Sequence, residues 1–226
     1  MTNSQVAQPG FRIVEGVLSG GECQALLEVL SSDEVTRSRA GARHLMPVPQ
    51  IAGLARDPRL IEIARWELGA APFPFRVTLF EKSAKANWLV VWHQDTALPL
   101  RDRFAAAGWG PWSNKAGLTY AHAPAWALAR MVALRVHLDS STINNGPLRV
   151  VPDSHHLGVL TDEEIAAAVK DYGFIECLVA RGGVLAMRPL LIHSSSKIQA
   201  RAVRRVLHIE YADSLSFGPE IELAIA

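Results

Sequence analysis

Trp92-His93-Gln94-Asp95 sets a histidine and an aspartate two positions apart. On an extended strand alternate side chains leave the same face, so His93 and Asp95 can reach one metal ion. A third ligand can come from Leu190-Leu191-Ile192-His193-Ser194-Ser195-Ser196, where a histidine ends an apolar run and small hydroxylated residues follow. Two histidines and one carboxylate leave three positions of an octahedral iron(II) free on one side, enough for a bidentate co-substrate and dioxygen together. Zinc tolerates the same ligand types. By itself the His93/Asp95 spacing is better explained as an incidental polar strand edge, and His193 at the end of its apolar run, with the serines after it, changes that balance. Arg204-Arg205 opens a strand reaching Tyr211, eleven positions beyond His193. A buried guanidinium there matches a carboxylate with two parallel donors, which a lysine does less well. Alternation puts Arg204 with Val206, His208 and Glu210, and Arg205 with Leu207, Ile209 and Tyr211. An apolar face is ordinarily the inner one, which by itself favours Arg205.

WHQD at 92–95, NNGPLRVVPDSHHLG at 144–158, and H-x-S with an arginine eleven residues after the histidine occur in one order. Together they resemble the phytanoyl-CoA dioxygenase family of Fe(II)- and 2-oxoglutarate-dependent oxygenases over roughly residues 76 to 211. The resemblance implies a double-stranded β-helix, a jelly-roll or cupin-like barrel, with iron held by His93, Asp95 and His193. It further implies that Arg204, rather than Arg205, grips 2-oxoglutarate, with Ser195 adding a hydroxyl. By the same likeness Lys82 and Asn87 are polar positions of the co-substrate pocket, and Arg135 is an anion contact for substrate or co-substrate. Asp153 stands where the family usually has glycine, so that turn is expected to differ.

The implied reaction hydroxylates a C–H bond of a small molecule, consuming O2 and 2-oxoglutarate and releasing succinate and CO2. Desaturation, epimerisation or cyclisation of a natural-product intermediate uses the same cofactors, and a metal- or ligand-binding cupin-like protein without turnover is the rival from another class. Asp95 fills the position that related halogenases give to a small residue, which disfavours halogenation.

The elements that must position these residues are short runs rich in Val, Phe, Trp and Thr from Phe73 onward, broken by Gly, Pro and Asn. They predict strands at 75–82, 88–95, 130–139, 147–152, 183–188 and 203–211. Before them, Phe11 to Leu18 reads as a short strand. Ser19 or Gly20 can cap a helix carrying Cys23, Leu26, Leu27 and Leu30, and Asp57 caps a second one over Asp57–Leu68 with the stripe Leu60, Ile61, Ala64 and Leu68. Thr161 with Glu164 forms a capping box for a helix over Asp162–Lys170. The fold class expected is mainly β with flanking helices: one domain over 1–226, with helical support at about 11–72 and the jelly-roll core at about 73–212. Residues 1–10 are polar and expected to fray. Leu98 to Trp126 is long, aromatic and aperiodic, and reads as a lid over the iron. His44, His122, His137, His155, His156 and His208 read as structural or solvated.

Bulk properties restrict the partners. With 23 basic and 22 acidic residues among 226, net charge +1, no basic patch suggests nucleic acid or a membrane surface, and a small-molecule substrate is the expected partner. Cys23 and Cys177 have no paired or metal-type spacing, which points to a reducing compartment. Neither a leader-like start nor a stretch of about 20 apolar residues is present, so the expected location is the cytoplasm.

Overall fold

The computed structural model describes residues 9–33, 35–38, 41–84, 86–199 and 203–226. Most of the stretch expected to fray, residues 1–8, lies outside them; Pro9 and Gly10 accept backbone bonds from Asp153 and Arg188. The chain begins with β1 (Phe11–Val14), α1 (Gly20–Leu30), β2 (Gly41–Ala42), α2 (Pro49–Ala55) and α3 (Pro58–Leu68). Strands β3 (Phe73–Lys82), β4 (Val90–His93), β5 (Ala97–Leu100), β6 (Trp112–Lys115) and β7 (Leu118–His122) follow. After α4 (Ala125–Leu128) come β8 (Met131–His137), β9 (Leu148–Val150), α5 (Asp162–Tyr172), β10 (Ile175–Cys177), β11 (Val184–Met187), β12 (His193–Ser195) and β13 (Arg204–Ala212).

The helix signals work locally. Ser19 and Glu22 form a full capping box on α1, as Thr161 and Glu164 do on α5, which runs on to Tyr172. Asp57 caps α3 and Gly69 closes it in the left-handed conformation. On α3 the buried residues are Leu60, Ile63, Ala64 and Glu67; Ile61 and Leu68 of the expected stripe are only half-buried. Sequence periodicity does not reveal α2, whose seven residues begin with Pro49.

Two antiparallel sheets make a jelly roll: a six-stranded sheet in the order β1-β11-β8-β13-β3-β2 and a four-stranded sheet in the order β10-β9-β12-β4. One face of the larger sheet presents Val77, Leu79, Val132, Leu134, Val136, Leu207, Ile209 and Tyr211, all buried against Leu27, Leu30, Ile51, Leu60 and Ala64 of the helices. Each such aliphatic side chain contributes about 1.5–3 kcal/mol when fully buried. Tyr211 Oη, fully buried, donates to Ala55 O at 3.0 Å. The apolar face of β13 is therefore turned outward onto a helical layer, and the polar face looks into the barrel.

Leu98 to Trp126 is not a free-standing lid. Strands β5, β7 and β6 form their own three-stranded sheet. Leu98, Leu100, Trp109 and Ala121 are buried with Phe75, Met131 and Phe217. Aromatic spacing gave these residues something to bury, and the surface they bury against is already in place; residues 101–108 are the largely exposed part. Among the described residues, no helix is long and apolar enough to cross a membrane.

Candidate metal centre and co-substrate pocket

In the smaller sheet β12 pairs with β4 so that His193 lies directly opposite His93. Directly paired residues of antiparallel strands share a face, and Asp95, two past His93, completes the group just beyond the strand end. Donor atoms of the three side chains all lie within 4.8 Å of one another. His93 Nε2 is 3.7 Å and His193 Nε2 3.5 Å from the two carboxylate oxygens of Asp95, and the imidazole centroids are 4.2 Å apart. Adjacent donors each about 2.1 Å from one ion stand about 3 Å apart, so little adjustment closes the set on a metal.

Both imidazoles are aimed by the same device. Nδ1 of His93 lies 2.8 Å from Val91 O, and Nδ1 of His193 lies 2.8 Å from Leu191 O. A carbonyl only accepts, so each Nδ1 carries the proton and each Nε2 keeps its lone pair toward the shared point. Burial pushes the His193 imidazole down to about 4, against the pull of Asp95, so it is neutral and ready to ligate at pH 7. Burial alone would raise the Asp95 carboxyl, but His193 and His93, with His208 and Arg76 behind them, hold it well below the usual range.

Beyond the triad lies a cavity lined by Lys82, Trp88, Arg135, Ser195 and Arg204. Arg204 is 3% exposed; its Nε donates to Asn145 O and its Nη2 to Ser195 Oγ, both at 3.2 Å, and its Nη1 is buried without a partner. Arg205 points the other way and pairs with Asp139 through Nε at 2.7 Å and Nη2 at 2.9 Å. Lys82 donates to Ser195 Oγ at 2.7 Å and to the carbonyls of Ser195 and Ser196 at 3.2 and 2.6 Å. Arg135 faces inward rather than to solvent, 3.2 Å from His208 Nδ1, with Nε unpaired. Burial, then Arg204, Arg135 and Arg149, brings the Lys82 ammonium down to about 7. Among the described residues the cavity lining holds three cationic side chains, Lys82, Arg135 and Arg204, against the single carboxylate of Asp95, and two guanidinium nitrogens there, Arg135 Nε and Arg204 Nη1, await an acceptor.

Asn87 does not reach this cavity. Its amide is occupied in both directions by Ile198, Nδ2 donating to the carbonyl at 2.9 Å and Oδ1 accepting from the backbone N–H at 2.7 Å. Gln94, not singled out from sequence, has a similar bracing role: Nε2 donates to Gly158 O and Leu190 O, both at 2.8 Å, and Oε1 accepts from Leu160 N at 2.9 Å. In the NNGPL turn, Gly146 passes so close to Ser196 that a Cβ would sit 2.4 Å from its carbonyl oxygen. Asp153 takes φ +64°, a left-handed conformation that glycine adopts without a β-carbon penalty. Ser154 beside it donates to Val151 O and accepts from Ile192 N, fixing the residue before His193.

Several histidines expected to be bland belong to the interior. His208 is buried between Arg135 and the Glu210 carboxylate, and His137 is buried with neither nitrogen bonded. His44 meets Tyr120, Nε2 to Oη 2.9 Å. Nothing local to these residues distinguishes them, because their partners lie 73 and 76 positions away.

A jelly roll presenting two imidazoles and a carboxylate beside a cationic pocket is the build of a non-haem metal oxygenase. The phytanoyl-CoA dioxygenase (PhyH) profile matches residues 6–206, and the chain belongs to that family. It is accordingly an Fe(II)- and 2-oxoglutarate-dependent dioxygenase. An L-proline trans-4-hydroxylase of Streptomyces griseoviridis is 26% identical over 224 residues, covering 88% of this chain and 74% of that one. Among solved structures, EctD from S. alaskensis with bound Fe shares the fold at TM-score 0.66 and 19% identity, covering 91% of this chain and 73% of that one. HygX from Streptomyces hygroscopicus with nickel and 2-oxoglutarate bound matches at TM-score 0.67 and 19% identity, covering 97% and 89%. The residues present fit the family's cofactors: the donor set suits iron(II), and the unpaired arginine nitrogens suit a dicarboxylate.

Proposed function

We propose that this protein hydroxylates a C–H bond of a small molecule, with His93, Asp95 and His193 holding iron(II) and Arg204 gripping the distal carboxylate of 2-oxoglutarate. The observation that carries the reading is the direct pairing of His193 with His93, which brings both Nε2 atoms to Asp95 at the mouth of a cavity containing the unpaired Nη1 of Arg204. When bound, iron(II) with 2-oxoglutarate and O2 supplies the oxidation: the oxo acid becomes succinate and CO2, and the second oxygen atom goes to the substrate.

The chain's own residues then have separate tasks. Val91 O and Leu191 O hold the imidazoles in the ligating tautomer, and Pro189 O, accepting from Asp95 N at 2.9 Å, fixes the backbone from which the carboxylate extends. Ser195 Oγ, which donates to Gly146 O, receives bonds from Arg204 and Lys82 and so orients both cations. Arg135, on β8 of the same sheet as Arg204 and Lys82, adds further positive charge. Leu148 and Phe80 give the pocket apolar walls that keep water from the anion and strengthen its attraction to the arginines.

Iron(II)-loaded wild-type protein in air is expected to convert 2-oxoglutarate to succinate slowly without any further substrate. His93→Ala, Asp95→Ala and His193→Ala should each lose iron on dialysis and fall to background. A variant keeping both properties removes that residue from the ligand set, and a wild type that releases no succinate overturns the reading. A product heavier than its substrate by one oxygen atom distinguishes hydroxylation from desaturation, epimerisation or cyclisation.

A further inference from the structure

Along the paired strands β3 and β13, Lys82 stands opposite Arg204 and, six residues further on, Arg76 stands opposite Glu210. Six residues span about 20 Å of strand. A five-carbon dicarboxylate is about 5 Å long from end carbon to end carbon, so what gathers at the second end lies beyond the reach of a co-substrate seated on Arg204. Gathered there are Arg43, His44, Arg76, Lys115, Tyr120 and Glu210. Arg76 is matched: its Nη2 donates to Glu210 Oε1 at 2.6 Å and its Nη1 to Ala97 O. Lys115 lies over the Tyr120 ring, Nζ 4.9 Å from the centroid, and Tyr120 Oη bonds His44. Neither Lys115 nor Arg43 has a carboxylate within ion-pair distance among the described residues, whereas Arg76, Arg101 and Arg130 nearby in the chain order all do.

Two further observations mark this flank as built for a ligand. His44 sits at φ +57°, a left-handed conformation that costs a β-carbon residue free energy, and it is held there by its bond to a fully buried tyrosine. The positive charges are close enough to oppose one another: besides burial, Arg76 and Arg43 weaken the proton affinity of Lys115, and Arg43 and Arg76 that of His44. Asp95 acts on Lys115 in the other direction, which places the ammonium within electrostatic range of the metal centre.

We infer that this flank binds an anionic group, carboxylate or phosphate, of the molecule to be oxidised, with Lys115 and Arg43 supplying the charge and the His44–Tyr120 pair a neutral hydrogen-bonding contact. The inference rests on the dioxygenase reading of His93, Asp95 and His193, and names its substrate class: a small anion, not a neutral or cationic molecule. Its negative group takes the place of the carboxylate partner that Lys115 and Arg43 lack, Glu210 being taken up by Arg76, and the anchored end leaves a C–H bond to face the metal ligands.

The test uses the full chain loaded with nickel, which does not turn over, and saturating 2-oxoglutarate, and follows thermal unfolding with matched pairs at millimolar concentration. The pairs are cyclopentanecarboxylate and cyclopentanecarboxamide, hexanoate and hexanamide, and glycerol 3-phosphate and glycerol; a ligand at 100 times its Kd raises stability by about 2.7 kcal/mol. At least one anion should raise Tm above its neutral partner, and which pair responds separates carboxylate from phosphate recognition. Lys115→Met should weaken that anion at least tenfold and Lys115→Arg should restore most of it, while Arg101→Met, an exposed arginine paired with Glu222, should bind as wild type does. Anions that stabilise no more than their neutral partners, or a Lys115→Met protein that binds the responding anion normally, overturn the inference. The nickel-dependent shift produced by 2-oxoglutarate alone reports on the metal reading separately, because the difference between anion and neutral partner is read against it.

Discussion

The two faces of β13 differ by one residue in register and by almost everything in chemistry. Leu207, Ile209 and Tyr211 are buried against the N-terminal helices, whereas Arg204, His208 and Glu210, equally buried, face the barrel interior. The first face is satisfied in itself: its side chains are apolar, and the Tyr211 hydroxyl has Ala55 O. The second is incomplete, with guanidinium nitrogens unpaired and cations crowded together. A sheet covered on both sides has no exposed face, so polarity separates the stabilising layer from the ligand-binding layer instead of inside from outside.

That contrast is broken most severely at Arg204. Replacing it by alanine should raise the 2-oxoglutarate requirement roughly 30- to 5000-fold, the effect of losing a buried charge-assisted pair worth about 2–5 kcal/mol. Arg205→Ala, which gives up a partly exposed pair with Asp139, should change that requirement less than threefold and cost at most about 1 kcal/mol of stability. Titration of succinate release against 2-oxoglutarate for the two variants decides between the faces; the reverse result would mean the outward face binds the co-substrate.

On the outward face Leu207→Ala should destabilise the fold by about 2–5 kcal/mol in urea unfolding, through lost burial and the cavity left behind. The protein that remains folded should keep its wild-type requirement for 2-oxoglutarate. A large shift in that requirement would show that the two faces are coupled through the backbone they share.

A smaller effect sharpens the comparison through pH. Lys82 faces Arg204 on β13, Arg135 on β8 and Arg149 on β9, and these with burial bring its ammonium to about 7. Below that pH the residue is charged folded or unfolded, and the cost of burying the charge is fully present. As pH rises from about 7 toward the ordinary lysine range the folded protein gives up the proton first, so this contribution to stability improves. A bound dicarboxylate favours the protonated form, so 2-oxoglutarate binding above pH 7 should take up a proton. Its affinity should fall by up to about tenfold per pH unit, and Lys82→Met should flatten the slope. Calorimetry in two buffers of different ionisation heat counts the proton; no uptake at pH 8 would mean that Lys82 stays charged without ligand.

Much of the site was legible from local pattern. A two-residue spacing read as strand brought His93 and Asp95 to one point, and they do meet although β4 itself ends at His93, short of the expected 95; the capping boxes at Ser19 and Thr161 are satisfied within four residues. Alternation likewise sorted β13 into two faces, because it is a property of the extended backbone itself. Which face looks inward was not local: it depended on helices some 150 positions earlier, as the bond from Tyr211 to Ala55 shows. The same holds for Asn87, whose amide is claimed by Ile198 at a separation of 111, for Gln94, which braces Leu190 at 96, and for His44, which becomes part of the site only because Tyr120 is brought to it. It holds too for Leu98 to Trp126, whose apparent lack of period reflects three short strands and a buried cluster completed by Phe75, Met131 and Phe217. Sequence by itself determined residue types, local spacing and alternation; the tertiary structure decided which buried group each side chain meets, because burial and hydrogen-bond satisfaction depend on atoms brought together across the chain.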